Sequence, residues 1–203
     1  MGVDIDKFVP REKNADLLNR LSLKDNELII LFVGRLVWEK GVYDLLFAVK
    51  RLLKDQLSRK VKLLYVGKGP EKRYLSKMIR FLGLSSQVKI VDFIPYARMT
   101  DMFTIADIFV LPSSVLPSWQ EQFGMVLVEA MASGKPVVTT ECGSIPYVVQ
   151  DAGMLARVSN FMSLYEKIKQ LVADEALRMH YAQKARTFSV NTYASIIISK
   201  QIE

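Results

Sequence analysis

Cysteine and histidine are nearly missing from this chain: among 203 residues, Cys142 is the sole cysteine and His180 the sole histidine. One cysteine cannot close an intrachain disulfide or form a thiolate metal cluster. His180, between Met179 and Tyr181 in a helical tail, reads as structural, and without partners for it no transition-metal site is expected. Ser113, Ser114 and Ser118 stand in no Gly-x-Ser-x-Gly elbow and have no histidine nearby in sequence, which removes the usual serine-nucleophile chemistry. No apolar run approaches a membrane span, and the pattern at Ile196-Ile197-Ile198 is cut by Ser195 and Ser199. Met1-Gly2-Val3-Asp4 opens neither a signal peptide nor a myristoylation site, since Asp6 sits where Ser or Thr is needed. The resulting expectation is a cytoplasmic location.

A single basic block is lacking too, although the formal net charge is +7. Lys50-Arg51, Lys72-Arg73 and Lys167 with Lys169 are spread over separate helices. No aromatic-basic ribonucleoprotein motif or zinc-finger spacing occurs, so no nucleic-acid partner is expected. The charge fits anionic small ligands better, and leaves room for peripheral contact with an anionic membrane.

What the chain does have is core-forming residues, with 50% of it hydrophobic. That suits a globular fold, and the length suits one large α/β domain. Short apolar runs alternate with helical patterns, the signature of βαβ units and a parallel sheet. Strands are expected over 28–33, 61–66, 88–93, 107–111 and 136–140. Helices are expected over 41–57, from Pro70-Glu71 to a cap at Gly83, after Pro95, and from about Asn160 onward. The absence of repeats and linkers predicts a single doubly wound, Rossmann-like domain over 1–203 with C-terminal helices.

The most informative stretch runs from Glu121 to Glu129. A helix over about 123–133 is apolar on every face, carrying Met125, Val126, Leu127, Val128, Ala130, Met131 and Ala132, and such a helix belongs inside. Glu129 is its one charge, and a buried carboxylate needs a polar partner. Two readings stand: a ligand supplies that partner, or a buried Lys or Arg does. Glu121 lies just before the helix, Gly124 lets a ligand approach its first turn, and a helix N-terminus attracts anions. Together they suggest a phosphate-bearing ligand with hydroxyl groups.

Ligands of open parallel sheets bind beyond the C-terminal strand ends. Four unusual loops fall there: Gly34-Arg35-Leu36-Val37-Trp38-Glu39-Lys40-Gly41, Gly67-Lys68-Gly69-Pro70, Phe93-Ile94-Pro95, and the long 112–124 loop. Arg35 offers a planar fork and Lys40 a compact charge for phosphate oxygens. A solvated surface loop is the plainer alternative. Gly67-Lys68-Gly69 has neither Walker nor dinucleotide spacing, and reads equally as a tight turn.

The chain resembles the C-terminal, donor-binding half of GT-B fold retaining glycosyltransferases, in particular family 4. The resemblance rests on Gly2-Val3-Asp4 with Phe8, Gly34-Arg35-Leu36 with Glu39-Lys40-Gly41, and Gly67-Lys68-Gly69-Pro70-Glu71. It extends through Ala106-Asp107-Ile108-Phe109-Val110-Leu111-Pro112-Ser113, the Glu121 and Glu129 pair, and Gly134-Lys135-Pro136-Val137-Val138. It implies that Arg35 and Lys40 hold the donor diphosphate and that Glu129 binds ribose hydroxyls. Glu121 would face the transferred sugar, beside donor contacts from Gly34, Gly67, Phe123, Gly124, Met125 and Val126. Phe93 and Ile94 would flank the base.

The substrate implied is a UDP-, GDP- or ADP-linked sugar, used without a cofactor or metal, with Glu121, Arg35 and Lys40 as the catalytic set. Tyr147 stands where the family usually has an acid, and the 112–120 loop is longer than the common form. The family's N-terminal, acceptor-binding half is absent from this sequence. The expectation is therefore an incomplete transferase, either a truncated domain or one completed by a separate polypeptide, with an apolar stripe over 193–198 that drives self-association. A non-catalytic nucleotide-sugar-binding module and a nucleotide-sugar epimerase are the alternatives.

Overall fold

The structure, a computed structural model, describes residues 2–195. β1 (Leu28–Val33) is buried at all six positions, as a strand covered on both faces must be. It pairs in parallel with β2 (Val61–Val66) on one side and β4 (Ile108–Leu111) on the other. With β3 (Val88–Val91), β5 (Val137–Thr140) and β6 (Met154–Ala156), the sheet runs in the order β3-β2-β1-β4-β5-β6. Every pairing is parallel. The order reverses between β1 and β4, so the crevice above their C-terminal ends is the natural place for a ligand.

Helices cover both faces. α1 (Ala15–Arg20) begins at Asn14, whose side chain accepts from the Leu17 amide. α2 (Val42–Leu52) and α3 (Lys72–Phe81) belong to the β1–β2–β3 crossovers. α4 (Met99–Ile105) leads to β4 and α5 (Met125–Ala132) to β5. α6 (Ile145–Val149) precedes β6, after which α7 (Phe161–Ala173) packs on α2 and α8 (Glu175–Tyr193) packs on α5. Among the described residues no helix is long and apolar enough to cross a membrane.

Several expected boundaries are corrected. α2 stops at Leu52, not at 57. Asp55 is tied sideways, accepting from Arg51 at 2.7 Å and from the Tyr165 hydroxyl of α7 at 2.7 Å, and the chain leaves the helix there. β3 ends at Val91, because its partner β2 ends at Val66 and nothing remains to pair with Asp92 and Phe93. α5 begins at Met125, since Gly124 takes the left-handed φ of 68° that a helix cannot contain.

Residues near the two ends meet. Val3 and Ala194 form a parallel bridge, with the Val3 amide donating to Tyr193 O at 2.7 Å and the Ser195 amide donating to Val3 O at 2.9 Å. Arg186 of α8 ties this seam to the body, donating to Phe8 O at 2.8 Å and Ala132 O at 2.6 Å. The apolar stripe expected over 193–198 lies mostly outside the described residues. Its first member, Tyr193, packs inward between Phe123 and Phe188, with ring centroids at 5.6 and 5.9 Å.

Candidate functional site

The loop after β1 and the loop after β4 are locked together above the crevice. Gly41 has φ 65°, and a Cβ there would lie 1.9 Å from Pro112 O, so only glycine lets the two backbones meet. Beside this contact the Ser114 amide donates to Glu39 O at 2.8 Å. Trp38, Glu39 and Lys40 form a single 3-10 turn that aims Lys40 into the crevice.

Lys40 Nζ forms an ion pair with Glu121 Oε2 and lies 4.8 Å from the Trp119 ring centroid. Glu121 is itself buried, and the Ser113 hydroxyl donates to its Oε2 at 3.1 Å. Its backbone is anchored as well. The Glu121 amide donates to Cys142 Sγ at 3.4 Å, and Glu121 O accepts from the Ser144 amide at 3.1 Å. The buried Cys142 thiol donates in turn to Ser114 O at 3.3 Å, and burial raises its pKa.

A carboxylate fixed from three directions holds its orientation, and the ammonium paired with it is fixed in consequence. Arg35, Lys40 and Glu121 border one cavity of about 1130 Å³, walled by the 115–122 loop. Arg35 is exposed and also borders a second cavity of about 440 Å³ at the ends of β1, β2 and β3. Gly34, Gly67, Lys68, Phe93 and Ile94 line that second cavity, which is mainly apolar. Lys68 Nζ stands 5.8 Å from the Phe93 ring centroid at its rim.

The first turn of α5 opens nearby. Among the described residues the amides of Gly124, Met125 and Val126 donate to no protein acceptor, as the first N–H groups of a helix do unless something caps them. Phe123, Gly124, Met125 and Val126 are half-buried and border neither of the two cavities; Phe123 is turned toward Tyr193.

Glu129, one turn further on, is 5% exposed. Its polar partner is neither a lysine nor an arginine: the Tyr96 hydroxyl donates to Glu129 Oε1 at 2.8 Å. Burial raises the Glu129 pKa, an effect the Tyr96 hydrogen bond and the charge of Lys7 partly offset. Partial burial of its own phenol, with the carboxylate next to it, pushes the Tyr96 pKa up to about 12. Lys7 Nζ sits 4.1 Å from the Tyr96 ring centroid, so the N-terminal segment braces the tyrosine from outside.

No signal in the sequence marks Tyr96 or Trp119, and Ser113 and Cys142 read there only as a serine without a nucleophile elbow and a lone thiol, not as supports of Glu121. Tyr96 sits 33 residues from Glu129, and no local pattern joins a turn tyrosine to a helix glutamate. Among the described residues no three His, Cys, Asp or Glu side chains come together as a metal site requires.

The parallel sheet with its ligand edge at the switch point is the architecture of Rossmann-like nucleotide-binding domains. The family model for glycosyl transferases group 1 matches residues 14–188, and the chain belongs to that family. A D-inositol 3-phosphate glycosyltransferase of Streptomyces bingchenggensis is 33% identical over 181 residues, covering 87% of this chain and 40% of that protein. The chain thus spans less than half the length of this curated relative. HepE of Anabaena, solved with UDP and glucose, superposes with a TM-score of 0.86 at 25% identity, over 99% of this chain and 54% of that one. The C-terminal domain of the group 1 family protein LpcC from Francisella tularensis superposes at 0.83 with 25% identity, over 96% of this chain and 100% of that domain.

Proposed function

We propose that this chain is the donor-binding half of a retaining glycosyltransferase, taking a nucleoside diphosphate sugar and passing the sugar to an acceptor hydroxyl. The observation that carries the reading is the fixed Lys40–Glu121 pair, set between the Arg35 rim and the uncapped first turn of α5. A departing diphosphate needs positive charge and N–H donors already in place, because preorganised dipoles cost no rearrangement during reaction. Arg35, Lys40 and the α5 amides supply these. The apolar cavity at Phe93 and Ile94 suits a base. Glu129 exchanges the Tyr96 hydroxyl for ribose hydroxyls, and Glu121 orients the sugar. HepE was solved with UDP and glucose, which makes UDP the first donor base to try.

Because the relatives are about twice as long, the acceptor side is assigned to a polypeptide segment outside this sequence. Calorimetric titration with UDP, GDP and ADP tests the reading directly. One of the three is expected to bind with a favourable enthalpy, and binding is expected to weaken in Lys40→Ala. If none binds to folded protein, the donor-site assignment fails. Binding by a folded chain that, together with its missing half, transfers no sugar would select the non-catalytic module.

A further inference from the structure

Away from the crevice, α3 carries three rows of side chains at helical spacing. Leu75 and Ile79 form the buried row, continued by Leu82 against the core. Tyr74, Met78 and Phe81 form the next row and face an open apolar groove of about 580 Å³, shared with Trp38, Tyr43 and Phe47. Arg73, Lys77 and Arg80 form the third row, along a neighbouring groove of about 580 Å³ bordered by basic side chains, and Lys77 borders both grooves.

The apolar row is not covered by the fold. Trp38 is 61% exposed, Tyr74 62% and Phe81 84%, on a chain whose other large side chains mostly pack inward. Acidic groups nearby are already engaged: Glu71 takes the Tyr43 hydroxyl, and Asp92 pairs with Lys72 at 2.5 Å. Among the described residues Arg73, Lys77 and Arg80 form no ion pair.

An unpaired cationic row, two arginines and one lysine, running along an exposed aromatic row complements an anionic surface in charge. It fits the boundary of a lipid bilayer well. There Trp and Tyr place their polar tips among headgroups, and Lys and Arg meet lipid phosphates. We propose that the α2–α3 face docks on an anionic phospholipid surface, with Phe81, Tyr74 and Trp38 entering the headgroup layer and Arg73, Lys77 and Arg80 pairing with phosphates. Although Trp38 shares its 3-10 turn with Lys40, the proposal does not rest on the donor-site reading.

Co-sedimentation with vesicles tests it, using phosphatidylcholine alone and phosphatidylcholine mixed with phosphatidylglycerol. The chain is expected to sediment with the mixed vesicles about tenfold more tightly than with the neutral ones, and to be released by salt. Tyr74→Ser with Phe81→Ser, and separately Arg73→Glu with Lys77→Glu and Arg80→Glu, are each expected to lose about tenfold or more of that affinity. These residues are exposed or half-exposed, and circular dichroism with a melting curve checks that each variant folds. In a Trp119→Phe background, Trp38 emission is expected to shift to the blue on mixed vesicles. Equal binding by wild type and folded variants overturns the proposal, as does indifference to phosphatidylglycerol. A failure to bind vesicles, accompanied by a dimer that Phe81→Ser dissolves, also overturns it and assigns the face to a second copy of the chain.

Discussion

Lys40 answers to two neighbours, the Glu121 carboxylate and the Trp119 ring face, and a donor diphosphate would be a third. In the proposed reading its charge serves ligands that carry phosphate. Lys40→Ala and Arg35→Ala are therefore expected to depress nucleoside diphosphate binding while barely changing that of the free nucleoside; a parallel fall in both would point to packing instead. In the same proposed reading Glu129 acts at the other end of the ligand. Glu129→Ala is expected to cost about 1.5–3 kcal/mol of nucleoside diphosphate affinity, the range for hydrogen bonds to a charged group, and Glu129→Gln less. Because burial lifts the Glu129 pKa above its ordinary 4.5, its ionised, accepting form is lost at a higher pH than usual as acid is added. A binding-versus-pH profile for wild type should consequently fall earlier than that of Glu129→Gln, which does not titrate.

Lys135, on the turn into β5, shows the reverse displacement: burial lowers its pKa from 10.5 to about 8. The folded state then holds fewer protons than the unfolded state between those values, so this group adds stability as pH rises through that window. Below about 8 the burial penalty is fully present. Lys135→Met is expected to be more stable at neutral pH by about 1–3 kcal/mol. Urea midpoints should show the gap to wild type closing as pH approaches 10.5.

Among elements, the loop after β1 is the one most tightly specified. Gly41→Ala would drive a methyl group into Pro112 O, and a loss of about 1–3 kcal/mol together with weaker nucleotide binding is expected. A melting curve and a titration on the same sample read both effects. The short turn bearing Tyr96 behaves differently, because its hydroxyl competes for Glu129. Tyr96→Phe is expected to lower stability, by leaving a buried oxygen without its donor, yet to tighten nucleotide binding; weaker binding would make Tyr96 a ligand contact itself.

The same elements show what could be read from the chain alone. β1 is a six-residue apolar run and β2 one interrupted only by Lys62, both bounded by polar turns, and they fold over the expected residues. β6 is only Met154–Ala156, and α6 only Ile145–Val149 with a proline in its first turn. Such pieces are too short for periodicity to register, and they form because neighbours are already in place. The crevice loops were visible through their glycines, whereas the Lys40–Glu121 and Tyr96–Glu129 partnerships join residues 81 and 33 positions apart and left no local trace.

At the scale of the whole molecule, the proposed donor-binding half would form one wall of the cleft that glycosyl transfer needs, since the chain spans 40% of one curated relative's length. Catalysis requires the acceptor hydroxyl held at attack distance, and a single wall cannot hold it. The chain alone is expected to bind a donor nucleotide and, at most, to hydrolyse nucleotide sugar slowly. Efficient multiple-turnover glycoside formation by the purified monomer would contradict the half-enzyme reading. The bridge of Val3 to Ala194 has a further consequence. Two segments lying at opposite extremes of the chain are stitched by reciprocal hydrogen bonds and riveted to α5 through Arg186, so neither can peel away while the other stays. Fraying, which elsewhere starts independently at each terminus, becomes here a single zipper-like opening. Deuterium uptake at the Val3 and Ser195 amides should accordingly keep one common rate, and Arg186→Met should accelerate both together.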